Sequence, residues 1–132
     1  PQFNLKIRPL ICYEAIFPRE SITKNVDVII NLTNDSWYGA STGPYQHFHM
    51  ARMRAVENGL PFVRVAGSGI SAIIDPLGRI IAETPLLQAT ILDGILPVKL
   101  SKPTIYVVIQ ELGLVILTAI LYLISFVLRP RE

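Results

Sequence analysis

Apolar positions fall into two regimes along this chain. Up to about residue 100 they come in short runs separated by polar punctuation, and from Ile105 they merge into a nearly unbroken apolar stretch. Residues 5–11 are apolar enough for a buried strand, with Pro9 removing one ladder donor. Pro18 suits the first turn of a short helix running to about Asn25. Residues 26–32 are rich in Val and Ile, the mark of an interior strand. Residues 34–43 then form a long polar loop.

The next helix is punctuated at both ends. Pro44 fits its first turn and Gly59 the left-handed residue after its last. Phe48, Ala51, Ala55 and Asn58 recur at helical spacing, which predicts close packing on a sheet. Beyond Pro61, residues 62–66, 71–74, 79–83 and 90–96 read as short strands. Asp75-Pro76-Leu77-Gly78 supplies a hairpin turn between two of them. Alternating strands and helices followed by hairpins predict a layered α/β domain over residues 1–100.

Residues 101–132 read differently, as a juxtamembrane segment, a transmembrane helix at about 105–128 and a short basic tail. Residues 112–128 carry no charge, and about 17 residues is near the lower limit for crossing roughly 30 Å of hydrocarbon. Residues 105–109 extend the run, with Gln110 and Glu111 interrupting it. Lys99 and Lys102 before the stretch balance Arg129 and Arg131 after it, so flanking charge does not orient it.

Composition supports the second regime and narrows the first. Hydrophobic residues make up 51% of 132, and mean hydropathy is +0.44. Net charge is only +2 with no basic stripe, which argues against a nucleic-acid partner. A single cysteine excludes an internal disulfide framework. His47 and His49 lie two apart on the predicted helix and point in different directions. They are poor joint ligands, and no metal or cofactor is expected. The chain opens at Pro1, without an initiator Met or a signal-peptide pattern, and reads as the tail of a longer polypeptide.

Cys12, where the first apolar run stops, is the candidate for chemistry. A thiol at a strand end is placed to act as a nucleophile, and equally a free cysteine packs well as a small buried hydrophobe. Glu14 shares a face with Cys12 if the segment stays extended, and a turn there points it elsewhere. In the loop, Asn34, Asp35 and Ser36 offer turn-organising hydrogen bonds. Trp37 and Tyr38 line a pocket, meet lipid or pack beneath the loop. Arg52, Arg54 and Glu57 read as a solvated or ion-paired helix face.

Four blocks together carry a resemblance. They are Ile11-Cys12-Tyr13-Glu14, Asn34-Asp35-Ser36-Trp37-Tyr38-Gly39, Gly43-Pro44-Tyr45-Gln46-His47-Phe48 and Met50-Ala51-Arg52-Met53-Arg54-Ala55-Val56-Glu57. In this order they resemble the carboxyl-terminal half of the bacterial apolipoprotein N-acyltransferase family, a branch of the nitrilase, or carbon–nitrogen hydrolase, superfamily. Gly69-Ile70-Ser71-Ala72 and the hairpin turn fit the same fold. The resemblance implies part of a four-layer αββα sandwich followed by one membrane helix, and a Glu–Lys–Cys triad in which Cys12 is the nucleophile. It implies that Cys12 takes an acyl chain from a phospholipid as a thioester. The amine of a lipoprotein's amino-terminal diacylglyceryl-cysteine then receives that chain. Glu14 matches a further glutamate beside the nucleophile, Tyr13 offers a backbone N–H to the oxyanion, and Asn34, Trp37, Tyr38 and His47 fall in the pocket and its loop. The family's general-base Glu and its Lys lie upstream of the nucleophile and match nothing here, so the isolated fragment is expected to be inactive. The resemblance also implies an inner-membrane enzyme with a periplasmic catalytic domain and a cytoplasmic carboxyl terminus. Another membrane-anchored amidase of the superfamily, or a non-catalytic anchored module keeping the fold, are the competing readings.

Overall fold

The computed structural model describes residues 4–128. Pro1 and the basic tail with Arg129 and Arg131 lie outside the described residues. Five strands form one mixed sheet in the order β1 (Ile7–Ile11), β2 (Val28–Asn34), β3 (Phe62–Gly67), β4 (Ala72–Ile74) and β5 (Ile80–Glu83). The first three run parallel, and β4 and β5 add antiparallel hairpin strands. Parallel neighbours need a crossover, and α1 (Pro18–Ser21) and α2 (Gly43–Asn58) lie in the two crossovers.

One face of the sheet holds the core. Leu10, Ile29, Phe62, Ala72 and Ile74 pack there against Phe48, Ala51 and Ala55 of α2. These helical positions sit three or four apart, and their small side chains let the helix lie close to the sheet. Gly59 closes α2 in the left-handed region at φ 65°, with its N–H bonded to the Ala55 carbonyl. The opposite face presents Ile7, Pro9 and Ile11 of β1, Leu32 of β2 and Val65 of β3 as exposed positions, with Ile30 and Val63 half-buried.

Several expectations are corrected. β2 starts two residues later than expected and continues to Asn34, which pairs with Gly67 as a strand residue. The short helix ends at Ser21, well before Asn25. Residues 90–96 form no strand: Gly94 and Pro97 punctuate the segment, and no described strand lies alongside to complete its ladder. For Arg54 and Glu57 the ion-paired alternative is the one observed, away from solvent. Arg54 is buried, with Nη2 donating to Glu57 Oε1 at 2.9 Å.

The continuous apolar helix is also corrected. It divides into α3 (Ile105–Ile109), capped by the Thr104 hydroxyl accepting from the Val107 N–H, and α4 (Leu112–Val127). Gln110 takes φ 47° between them, and the Glu111 carboxylate turns back to the Arg19 guanidinium of α1. The two polar residues therefore end one helix and start another. Among the described residues no helix is long and apolar enough to cross a membrane. The 16 residues of α4 span about 24 Å.

Candidate functional site

β1 ends at Ile11, and the chain turns at once into a 3-10 turn over Cys12–Ile16. Cys12 enters it at φ 50°, a left-handed conformation that costs an L-residue about 1–2 kcal/mol and persists only where its surroundings impose it. Its side chain is half-buried. The first residues of such a turn have no partner on the preceding turn for their N–H groups, which leaves the Tyr13 N–H outside the i→i+3 ladder. Glu14 does not stay beside the thiol along an extended strand. It folds back so that Oε2 accepts the Ile11 N–H at 2.7 Å.

Beneath the turn lies a polar group fully enclosed by the core. Asn31 of β2 and Arg64 of β3 are paired neighbours in the parallel ladder and both point toward α2. Arg64 Nη1 donates to Asn31 Oδ1 at 2.7 Å, Nη2 donates to Asp35 Oδ2 at 2.7 Å, and Nε donates to the Ile70 carbonyl at 3.2 Å. His47, from α2, reaches the same carboxylate, with Nδ1 2.9 Å from Asp35 Oδ1. Arg64 Nη2 stands 3.2 Å from the same nitrogen, which thus meets both the carboxylate and the guanidinium. The ring lies between Tyr13 and Tyr38, at 5.4 and 6.0 Å between centroids.

Asn31 joins this group to the nucleophile turn. Its Nδ2 donates to the Leu10 carbonyl at 3.0 Å and to the Cys12 carbonyl at 3.2 Å. Thr33 makes a second link, its hydroxyl standing 3.6 Å from Cys12 Sγ and 3.4 Å from Asp35 Oδ1. Burial alone would raise the Asp35 pKa. The His47 hydrogen bond and the charge and hydrogen bond of Arg64 outweigh it, and the carboxyl sits below its ordinary range. Burial lowers the Arg64 pKa, with Asp35 opposing it, and the pair remains ionic. Glycine is required at position 69, where a Cβ would stand 2.2 Å from Asp35 Oδ2.

The expected site residues therefore separate. Cys12, Tyr13, Tyr38 and His47 come together around the turn. Asn34 closes β2, where its Oδ1 accepts the Ser36 N–H at 3.1 Å. Trp37 projects from a 3-10 turn over Ser36–Tyr38 and is 82% exposed. Asn31, Thr33 and Arg64 were absent from the expected site, and Asp35 was expected only to organise a turn. The signal for Arg64 was present as the one charged residue of an otherwise apolar strand, and for Asn31 as a polar break in the apolar run of β2.

A thiol in a strained turn at the end of a parallel strand, over a buried ionic group, defines an α/β protein with a candidate cysteine site. The chain belongs to the carbon–nitrogen hydrolase family, which matches residues 2–106. It is 54% identical over 98% of its length to the apolipoprotein N-acyltransferase of Rickettsia bellii, and 51% identical over 93% to that of Rhodopseudomonas palustris. It spans only 26% and 23% of those two relatives. Among solved structures it resembles a carbon–nitrogen hydrolase from Helicobacter pylori, with a TM-score of 0.56 and 14% identity over 64% of this chain and 38% of that one. It also resembles Nit3 of Saccharomyces cerevisiae, a member of branch 10 of the nitrilase superfamily. There the TM-score is 0.51, with 26% identity over 63% of this chain and 34% of that one. The nitrilase-type fold with a mixed sheet is thereby established.

Proposed function

We propose that this chain is the nucleophile-bearing part of an apolipoprotein N-acyltransferase. The observation that carries the reading is Cys12, the single thiol, set at φ 50° where β1 meets the 3-10 turn. The chain's likeness, above half identity, to apolipoprotein N-acyltransferases of three Rickettsia species supplies the reaction class.

In the first step the Cys12 thiolate attacks an ester carbonyl of a phospholipid. A C–S bond forms, the ester C–O bond breaks, and the lysophospholipid leaves as an alcohol after taking a proton. In the second step the amine of a diacylglyceryl-cysteine attacks the thioester. A C–N bond forms, the C–S bond breaks, the amine loses a proton and the thiolate is regained. Thiolate suits both steps because it is a strong nucleophile and an acceptable leaving group. The Tyr13 N–H, outside the turn's ladder, is the donor offered to the oxyanion. Glu14, tied to the Ile11 N–H, secures the turn, and Asn34, Trp37, Tyr38 and His47 form the rim and floor beside it.

The apolar face bearing Ile11, Leu32 and Val65 is where a second sheet completes the αββα sandwich. α4, with every residue except Gly113 exposed and none charged, is the segment that meets the lipid. Under this reading the complete protein works as a membrane enzyme, like the apolipoprotein N-acyltransferases it resembles.

The test uses the complete protein with labelled phospholipid. Wild type is expected to acquire a hydroxylamine-sensitive label and to N-acylate an apolipoprotein. Cys12→Ser is expected to lose both, and retention of lipoprotein acylation by that variant would refute the assignment.

A further inference from the structure

We infer that Asn31 and Arg64 are positioning residues that hold Cys12 in its left-handed turn, a role that rests on the reading of Cys12 as nucleophile. The orientation of the Asn31 amide is not free. A guanidinium donates only, so Arg64 Nη1 at 2.7 Å must meet the amide oxygen, and the amide nitrogen must then face the two carbonyls. Those carbonyls belong to Leu10 and Cys12, on either side of the bend. One side chain thus clamps the last turn-facing carbonyl of β1 and the carbonyl of the strained residue itself.

The clamp is supported from below. Arg64 is held on its far side by Asp35, and Asp35 by His47. All four side chains are buried, so none is free to swing to water. Support for the Cys12 backbone runs in series from His47 and Asp35 through Arg64 and Asn31, while Thr33 links Asp35 separately to the Cys12 thiol. None of the four needs to touch substrate for this role. Angstrom-scale displacement of a reacting group can cost about a hundredfold in rate, which sets the size of effect to look for.

Asn31→Asp separates positioning from folding. The carboxylate keeps an acceptor for Arg64 but offers two carbonyls an oxygen where they now have donors. In the complete protein we expect single-turnover formation of the Cys12 thioester to slow by about tenfold or more, with KM for phospholipid little changed and a melting transition that is lowered but still cooperative. The pH profile of Cys12 alkylation by iodoacetamide is expected to move as well. Arg64→Lys keeps the charge opposite Asp35 but cannot bridge Asp35 and Asn31, and it should lose rate by a smaller factor. If Asn31→Asp fails to fold, Arg64→Lys decides by the same readouts. Because the two act in series, the double variant should be no slower than Asn31→Asp alone. Wild-type acylation and alkylation in either folded single variant, or additive losses in the double variant, would overturn the inference. A Cys12→Ala control separates the two ideas. If it retains acyl transfer, the nucleophile reading fails, and the alkylation profiles still decide whether Asn31 holds the turn.

Discussion

The two faces of the sheet are both largely apolar, and the covered one alone encloses a charged group. The covered face carries Asn31 and Arg64 at its centre, sealed beneath α2, whereas the bare face is built from Ile7, Ile11, Leu32, Val65 and their neighbours. A half-solvated sheet places its charges outward and its aliphatic residues inward. Here charge is buried where it fixes geometry. Hydrocarbon is exposed on a face with no described cover, the composition of a strand buried on both sides. The covered face is specialised for precision, and the bare face is composed for contact.

Four measurements would break or sharpen that contrast. The largest effect is expected from Arg64→Met, which leaves Asp35 ionised and without its cation. Breaking a buried pair in this way costs about 3–5 kcal/mol, read from denaturant unfolding of the complete protein. A neutral result would mean that the buried charge is incidental. Next is Leu32→Ala on the bare face. If this face is covered in the complete protein, the loss is about 2–4 kcal/mol. A change within about 0.5 kcal/mol would mean that the face meets water, and the contrast would collapse. Gly69→Ala drives a methyl into Asp35 and should cost about 1–3 kcal/mol, with Ser68→Ala as the neighbouring control.

The smallest effect is in pH. Asp35 has a folded pKa below its ordinary value of 3.8, so its contribution is complete above that value and is lost as pH falls through the folded one. Wild type should therefore lose stability on acidification below about pH 4 more steeply than Asp35→Asn. Parallel slopes would remove Asp35 from the acid response.

Local chemistry made much of the fold legible. Pro44 and Gly59 bracket α2 as expected, and Asp75 organises the hairpin turn, with Oδ1 accepting the N–H groups of Leu77 and Arg79. The site was legible at Cys12, Tyr13, Tyr38 and His47, because the four blocks carry them. The buried network was hidden for a physical reason. Asn31 and Arg64 are 33 residues apart and meet only through the register of two parallel strands. The division at Gln110 was hidden for another: Glu111 is recruited by Arg19, 92 residues earlier, a contact that no window of hydropathy contains.

Trp37 is the chain's single tryptophan, and it stands in solvent next to Tyr38, whose ring lies 6.0 Å from that of His47. An indole so placed is an intrinsic optical reporter. In water its emission is red-shifted, and entry of an acyl chain or contact with lipid would move it to the blue. The loop after β2 therefore carries its own fluorophore, and contact of this loop with lipid can be followed in this chain without a label.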